Sequence, residues 1–279
     1  MNTQNPDAHG WYSIVGEPCS AVLRPLRSIE FIEKLSITES HRITVRHAKA
    51  LRSLGSVKWL WLWCEVTRNA MQYIVQVPGL EVLDVLSITA PGSISGFESA
   101  ATLHTVRANL FLKELDIVAI AKCATLQELG IQGAELTPLA IAALLSLPLL
   151  HSLDVEGSNF DDGMAQQLST STVLAQLDVG ATQITRAGLA HLVSMKQLRS
   201  LDLWATGLGV DDLELLTELP NLDYVSVGNF DRLDVARLVP LLLSLPALKR
   251  VWLDGVEVTD DQEAALERKL ESVRITPNE

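Results

Sequence analysis

One spacing of apolar residues recurs along this chain and limits what it can fold into. The segment Leu198-Arg-Ser-Leu201-Asp-Leu203-Trp-Ala-Thr206-Gly-Leu208 carries apolar side chains at positions one, four, six and eleven, and Leu174 to Ile184 holds the same frame 24 residues earlier. Following the second apolar position gives Leu35, Leu60, Leu83, Val106, Leu129, Leu153, Leu177, Leu201, Val225, Val251 and Val273. These eleven copies are separated by 25, 23, 23, 23, 24, 24, 24, 24, 26 and 22 residues. A unit of this length cannot bury its apolar face alone, so the copies must stack into a solenoid that shares one continuous core. The prediction is therefore one elongated domain of 279 residues, not two globular ones. The 48% hydrophobic content lies in short periodic runs. The longest of them, Leu139 to Leu150, is interrupted by Ser146 and Pro148 and falls short of the ~18 residues needed to span a membrane.

Within each copy the sequence predicts a strand, a turn and a helical segment. Strand side chains alternate, so the fourth and sixth positions point into the core and the third, fifth and seventh point outward. Helix starts follow where expected. Thr137 before Pro138 is an N-cap with a first-turn proline, Thr185 caps a segment carrying Leu189 and Leu192, and Thr259 with Gln262 forms a capping box. Prolines at 78, 148, 220 and 246 stop each helix just before the next strand. Leu26, Ile29 and Phe31 also fit the spacing, but Ile32, Leu35 and Ile37 lie 25 residues from the next copy and set the frame.

The period, the apolar frame and segments such as Thr182-Gln-Ile-Thr-Arg-Ala-Gly-Leu-Ala-His-Leu resemble leucine-rich repeats, in particular the bacterial 24-residue type with a helical convex side. The resemblance implies an α/β solenoid in the form of a curved horseshoe of about eleven repeats, with a parallel sheet on the concave face and helices on the convex face. Residues 1–31 would cap the first repeat, and 32–279 would form the repeat domain with its last repeat as the second cap. Many such repeats place Asn at the ninth position. Here Ala134, Ser158, Thr182 and Thr206 stand there, and the hydroxyls can serve a backbone group instead. The turns after Val106 and Val225 depart from the pattern, and Pro277 lacks the N–H that further strand pairing would need.

Stacked parallel strands align equivalent outward residues in columns, and candidate function is read from these. Trp59, Trp61 and Trp63 alternate with core leucines and face outward, as do Trp204, Tyr224 and Trp252. Such aromatics are common interface anchors, though they also pack on one another or on a cap. The fifth column includes Asp84, Arg107, Asp154, Asp178 and Asp202, with Glu156 two residues after the first of its three successive aspartates. Neighbouring carboxylates ~5 Å apart in water repel by about 0.8 kcal/mol, which a basic partner would offset. Solvated charge that keeps the face soluble is the alternative.

No phosphate loop, metal-binding cysteine or histidine pair, or nucleophile motif is present, so the chain reads as non-enzymatic, without cofactor or metal. Cys64 is placed on the concave side, after the tryptophan strand. Cys19, Cys64 and Cys123 form no paired spacing, and the start of the chain has neither a basic nor an apolar leader segment, which points to the cytoplasm, or to an effector delivered into a host cell without a cleaved signal. A net charge of −12 disfavours nucleic acid. The expected partner is a protein with a basic patch, held on the concave face by a monomer or weak homodimer. An acidic inhibitor or immunity-type protein masking a basic enzyme, and a structural homodimer, are the alternatives.

Overall fold

A computed structural model of the chain describes residues 5–89, 92–108, 112–228 and 234–276. It divides into two compact units, Met1–Glu135 with Ser146–Leu150 and Leu136–Leu145 with His151–Glu279. The first holds β1 (Trp11–Val15), β2 (Phe31–Ile43), β3 (Ser56–Thr67), β4 (Val82–Thr89), β5 (Thr105–Ala108) and β6 (Glu128–Gly130), each parallel to the next. Their register sets Tyr12, Leu35, Leu60, Leu83, Val106 and Leu129 side by side. The second unit holds β7 (Ser152–Asp154), β8 (Gln176–Asp178), β9 (Ser200–Asp202), β10 (Tyr224–Gly228), β11 (Arg250–Asp254) and β12 (Ser272–Thr276). They too run parallel in chain order and align Leu153, Leu177, Leu201, Val225, Val251 and Val273. The frame chosen from the period is thus the register within each unit, and the fold is an α/β leucine-rich repeat solenoid.

The core follows from strand alternation. Leu35, Ile37, Leu60, Leu62, Leu153, Val155, Leu201 and Leu203 are at most 1% exposed, and each contributes about 1.5–3 kcal/mol by leaving water. In the second unit, side-chain caps hold the helix starts. Ala140 N–H donates to Thr137 Oγ1 at 3.2 Å at the start of the helix Pro138–Leu145. Ala187 N–H donates to Thr185 Oγ1 at 3.2 Å before Arg186–Leu192. Thr259 and Gln262 cap Asp260–Lys269 reciprocally, at 2.9 and 3.3 Å. At the ninth position the Thr182 and Thr206 hydroxyls donate to the carbonyls of Val179 and Leu203 at 2.6 and 2.8 Å, replacing the missing asparagine.

Two features differ from the sequence reading. The segment 1–31, expected only to cap, supplies β1, which joins the sheet in register with β2. Tyr12 and Ile14 occupy the fourth and sixth positions 23 residues before Leu35 and Ile37, but His9 stands at the first position, so the apolar frame is broken there. Strands β2, β3 and β4 also continue past the expected turn. The register shifts after Thr38 and after Leu62, and Ile43, Val66 and Ile88 then align and are fully buried. Glu39 takes φ 55° at this irregularity, as bulged strands allow. The irregular turns after Val106 and Val225, and Pro277, lie outside the described residues. Among the described residues no helix is long and apolar enough to cross a membrane.

Candidate functional site

The outward columns bring the predicted residues into two groups, one in each unit. In the first, β1 places Trp11 at the third position, in line with Lys34 and Trp59. Its ring lies 5.2 Å from Trp59 and 5.5 Å from Trp61, and Trp61 lies 5.5 Å from Trp63, all tilted or edge-on. Aromatic pairs of this geometry are worth about 0.5–1.5 kcal/mol each beyond burial. The Lys34 ammonium sits 5.8 and 5.7 Å from the Trp11 and Trp59 ring centres. The apolar frame does not mark the strand that carries Trp11, because His9 stands at its first position; the 23-residue step from Tyr12 to Leu35 is its signal in the sequence. Trp59 and Trp61 are half-buried against it, and only Trp63 stands clear, at 53% exposure.

Asp84 and Arg107 are drawn into this unit's own contacts. The Trp59 indole N–H donates to Asp84 Oδ2 at 2.5 Å, and Arg107 bonds Asp84 at 3.1 Å and Glu128 at 3.0 Å. Cys64, expected on the outward face, is instead 4% exposed and turned to the core. Strand alternation resumes after Trp63 and carries it inward with Leu62 and Val66. Burial, with Glu65 nearby, pushes its thiol up to about 11, which makes it a poor nucleophile.

In the second unit Asp154, Asp178 and Asp202 stand in register. Each turns Oδ1 onto the N–H two residues on: Glu156 at 2.9 Å, Gly180 at 2.8 Å and Trp204 at 2.9 Å. A short acceptor is what a strand end needs there, so the column has a structural cause beside its charge. Its electrostatic cost exceeds the value for water, because the carboxylates are half-buried. Burial, then Asp202, pushes Asp178 up to about 8. Burial also raises Asp202, and burial with Asp154 and Asp202 raises Glu156. Asp154, Glu156 and Asp178 bring carboxylate oxygens within 4.8 Å of one another, a spacing that would admit a cation.

The aromatic residues of this unit frame the acidic column. The Trp204 indole N–H donates to Asp254 Oδ2 at 2.7 Å. Asp254 is two strands away, so the ring must cross β10, where the aligned residue is Gly228 and no side chain obstructs it. Trp252 donates to Thr276 Oγ1 at 2.9 Å, and the Arg274 guanidinium lies 4.6 Å from its ring centre. Between these indoles is a pocket of about 190 Å³, bordered by Glu156, Asp178, Asp202 and Asp254. Tyr224 faces a second pocket of about 250 Å³ toward the strand starts, beside Arg199 and Arg250. Arg250 lies 5.4 Å from the tyrosine ring and pairs with Asp223 at 2.8 Å.

No family model matches the chain, and no curated protein sequence matches it. Solved structures do. An internalin (inlF) from Listeria monocytogenes has a TM-score of 0.55 at 23% identity, over 83% of this chain and 69% of its own. The yeast Rad7 and Elc1 complex contains a chain with a TM-score of 0.58 at 16% identity, over 91% of this chain and 71% of its own. At these identities the likeness is one of fold.

Proposed function

We propose that this leucine-rich repeat protein is a non-enzymatic interaction module that binds a protein through the outward columns of its strands. Trp63 and its aromatic neighbours would supply one contact region. Asp178, Asp202, Trp204 and Trp252 would supply the other, with Asp154, Glu156 and Tyr224 around them. The observation that carries this reading is the second region, where half-buried carboxylates border a pocket with aromatic walls and no basic lining residue. Like charges at that depth are costly without a partner of opposite charge. The yeast structure, in which a chain of the same fold belongs to a protein complex, supports the general reading.

A partner with a basic patch fits best, and the acidic column with net charge −12 also favours the narrower reading of an inhibitor that masks a basic enzyme. A cytoplasmic setting, or delivery as a bacterial effector, belongs to the same proposal. The test is affinity capture from the source cell with wild type and a Trp63→Ala/Trp252→Ala variant, both checked for folding by circular dichroism. Wild type should retain a protein that the variant releases, with affinity lowered by about 30-fold or more, as for interface anchors. Equal retention by both would place the binding surface elsewhere. A retained second copy of this chain would identify a homodimer.

A further inference from the structure

We propose that the pocket between Trp204 and Trp252 is a socket for one arginine side chain of the protein partner. This rests on the reading that the second unit meets a protein, and adds the chemistry of the contact. The indoles of Trp204 and Trp252 supply the aromatic walls, and Asp178, Asp202, Asp254 and Glu156 supply the acidic border. None of the lining residues is basic. Trp204 is fixed across β10 by its bond to Asp254, and Trp252 by its bond to Thr276, so both walls are set before anything binds.

A separate observation lies beneath the acidic border. The Ser226 hydroxyl is fully buried in the fifth column, between Asp202 and Trp252. It lies against both the Asp202 carboxylate and the Tyr224 hydroxyl and favours the charged form of each.

Arginine fits these walls better than lysine or a bare metal ion. Its planar guanidinium stacks on an indole and donates to two carboxylates at once, whereas an ammonium is a compact, strongly hydrated point charge. The fold already uses the same contact, with Arg274 over Trp252 from the β12 side and Arg250 over Tyr224. Beside Trp252 the pocket is lined by residues of and after β8 and β9, and Arg274 is not among them. Burial and then the facing Asp202 raise Asp178, and a guanidinium entering beside it would favour its charged form.

The test follows the indole N–H signals of Trp204 and Trp252 by NMR in the intact chain, titrated with acetyl-Gly-Arg-Gly-amide. Its lysine and citrulline counterparts, spermidine and calcium chloride are the comparison probes. The arginine peptide should shift both signals saturably and leave Trp63 unmoved, while the neutral citrulline peptide should not saturate. Asp178→Asn/Asp202→Asn should weaken binding by about tenfold or more, and Asp254→Asn, which keeps an acceptor for Trp204, should weaken it severalfold. Equal binding of the citrulline peptide, or binding within twofold in both variants, overturns the proposal. So does tighter binding of calcium, spermidine or the lysine peptide at these indoles. If the peptide fails to bind while Trp63→Ala/Trp252→Ala still loses the captured partner, the socket is wrong and the interaction reading stands. If the peptide binds but capture is unaffected, the socket chemistry stands and the interaction reading falls.

Discussion

Asp178 is the residue whose surroundings have the clearest thermodynamic consequence. Its carboxyl titrates at about 8 in the folded protein, through burial and the facing charges of Asp202, Asp154 and Glu156, against about 3.9 in an unfolded chain. Between those values the folded state keeps a proton that the unfolded state has lost. The resulting contribution to stability is full below about pH 4, declines as pH rises toward 8, and is gone above it. Asp178→Asn should flatten this dependence and make the protein more stable than wild type at pH 8, because asparagine Oδ1 can still accept the Gly180 N–H. Denaturant midpoints at pH 5 and pH 8 read this directly, and parallel profiles for the two proteins would refute it. Gly228 is constrained differently: a methyl there would overlap the carbonyl oxygen of Asp254, which as sheet backbone cannot swing away. Gly228→Ala should cost about 1–3 kcal/mol, the usual penalty of overpacking, and should free the Trp204 indole from its position across β10.

Among the elements, β1 has the most to lose from a single change. Trp11 makes two of the three ring contacts in the tryptophan group and joins the first two strands to the third. Trp11→Ala should destabilise the protein by about 1–3 kcal/mol, the sum of two aromatic pairs, and expose Trp59 and Trp61 to water. A red shift of indole emission together with a lower denaturant midpoint is the expected result; an unchanged spectrum would mean that the rings stay packed without it. Between helices of the second unit, the Asp162 carboxylate accepts from Thr185 N at 2.8 Å, Thr185 Oγ1 at 2.6 Å and Gly188 N at 2.9 Å. One side chain thereby serves the start of the next repeat's helix. That approach requires glycine at 188, since a Cβ there would overlap the carboxylate.

For the whole molecule, charge decides how a partner is met. With 22 basic and 34 acidic residues, the chain attracts a basic protein over distances that salt shortens to ~10 Å at 0.1 M. Association with the captured partner should therefore slow as salt is raised, with a smaller effect on dissociation. Stopped-flow or surface binding at several ionic strengths measures both rates. A salt-independent association rate would remove the reading of an acidic inhibitor and leave the aromatic contacts as the basis of recognition.

Amino-acid spacing alone is enough to fix the repeat, its frame and the inward and outward sides of the strands from β2 onward. These depend on local rules: a near-constant period, strand alternation, and hydroxyl caps at the helix starts. It marks most residues of both outward groups for the same reason, since a column is a sum of equivalent positions, but neither Trp11 nor Asp254. Trp11 was missed because a polar His9 interrupts the frame, although pairing with β2 still fixes the register of β1. Cys64 was misplaced because extended backbone continues past Trp63 where a turn was expected, and continued alternation sends its side chain inward. The state of each column residue depends instead on packing between repeats. Whether a tryptophan is a free anchor or packs against a neighbour, and whether an aspartate is solvated or half-buried with a raised pKa, depends on rings and carboxylates that lie a repeat or two away in sequence. The bond from Trp204 to Asp254 spans 50 residues. No local pattern encodes that reach, because it requires the side chain to be absent at Gly228 on the strand between.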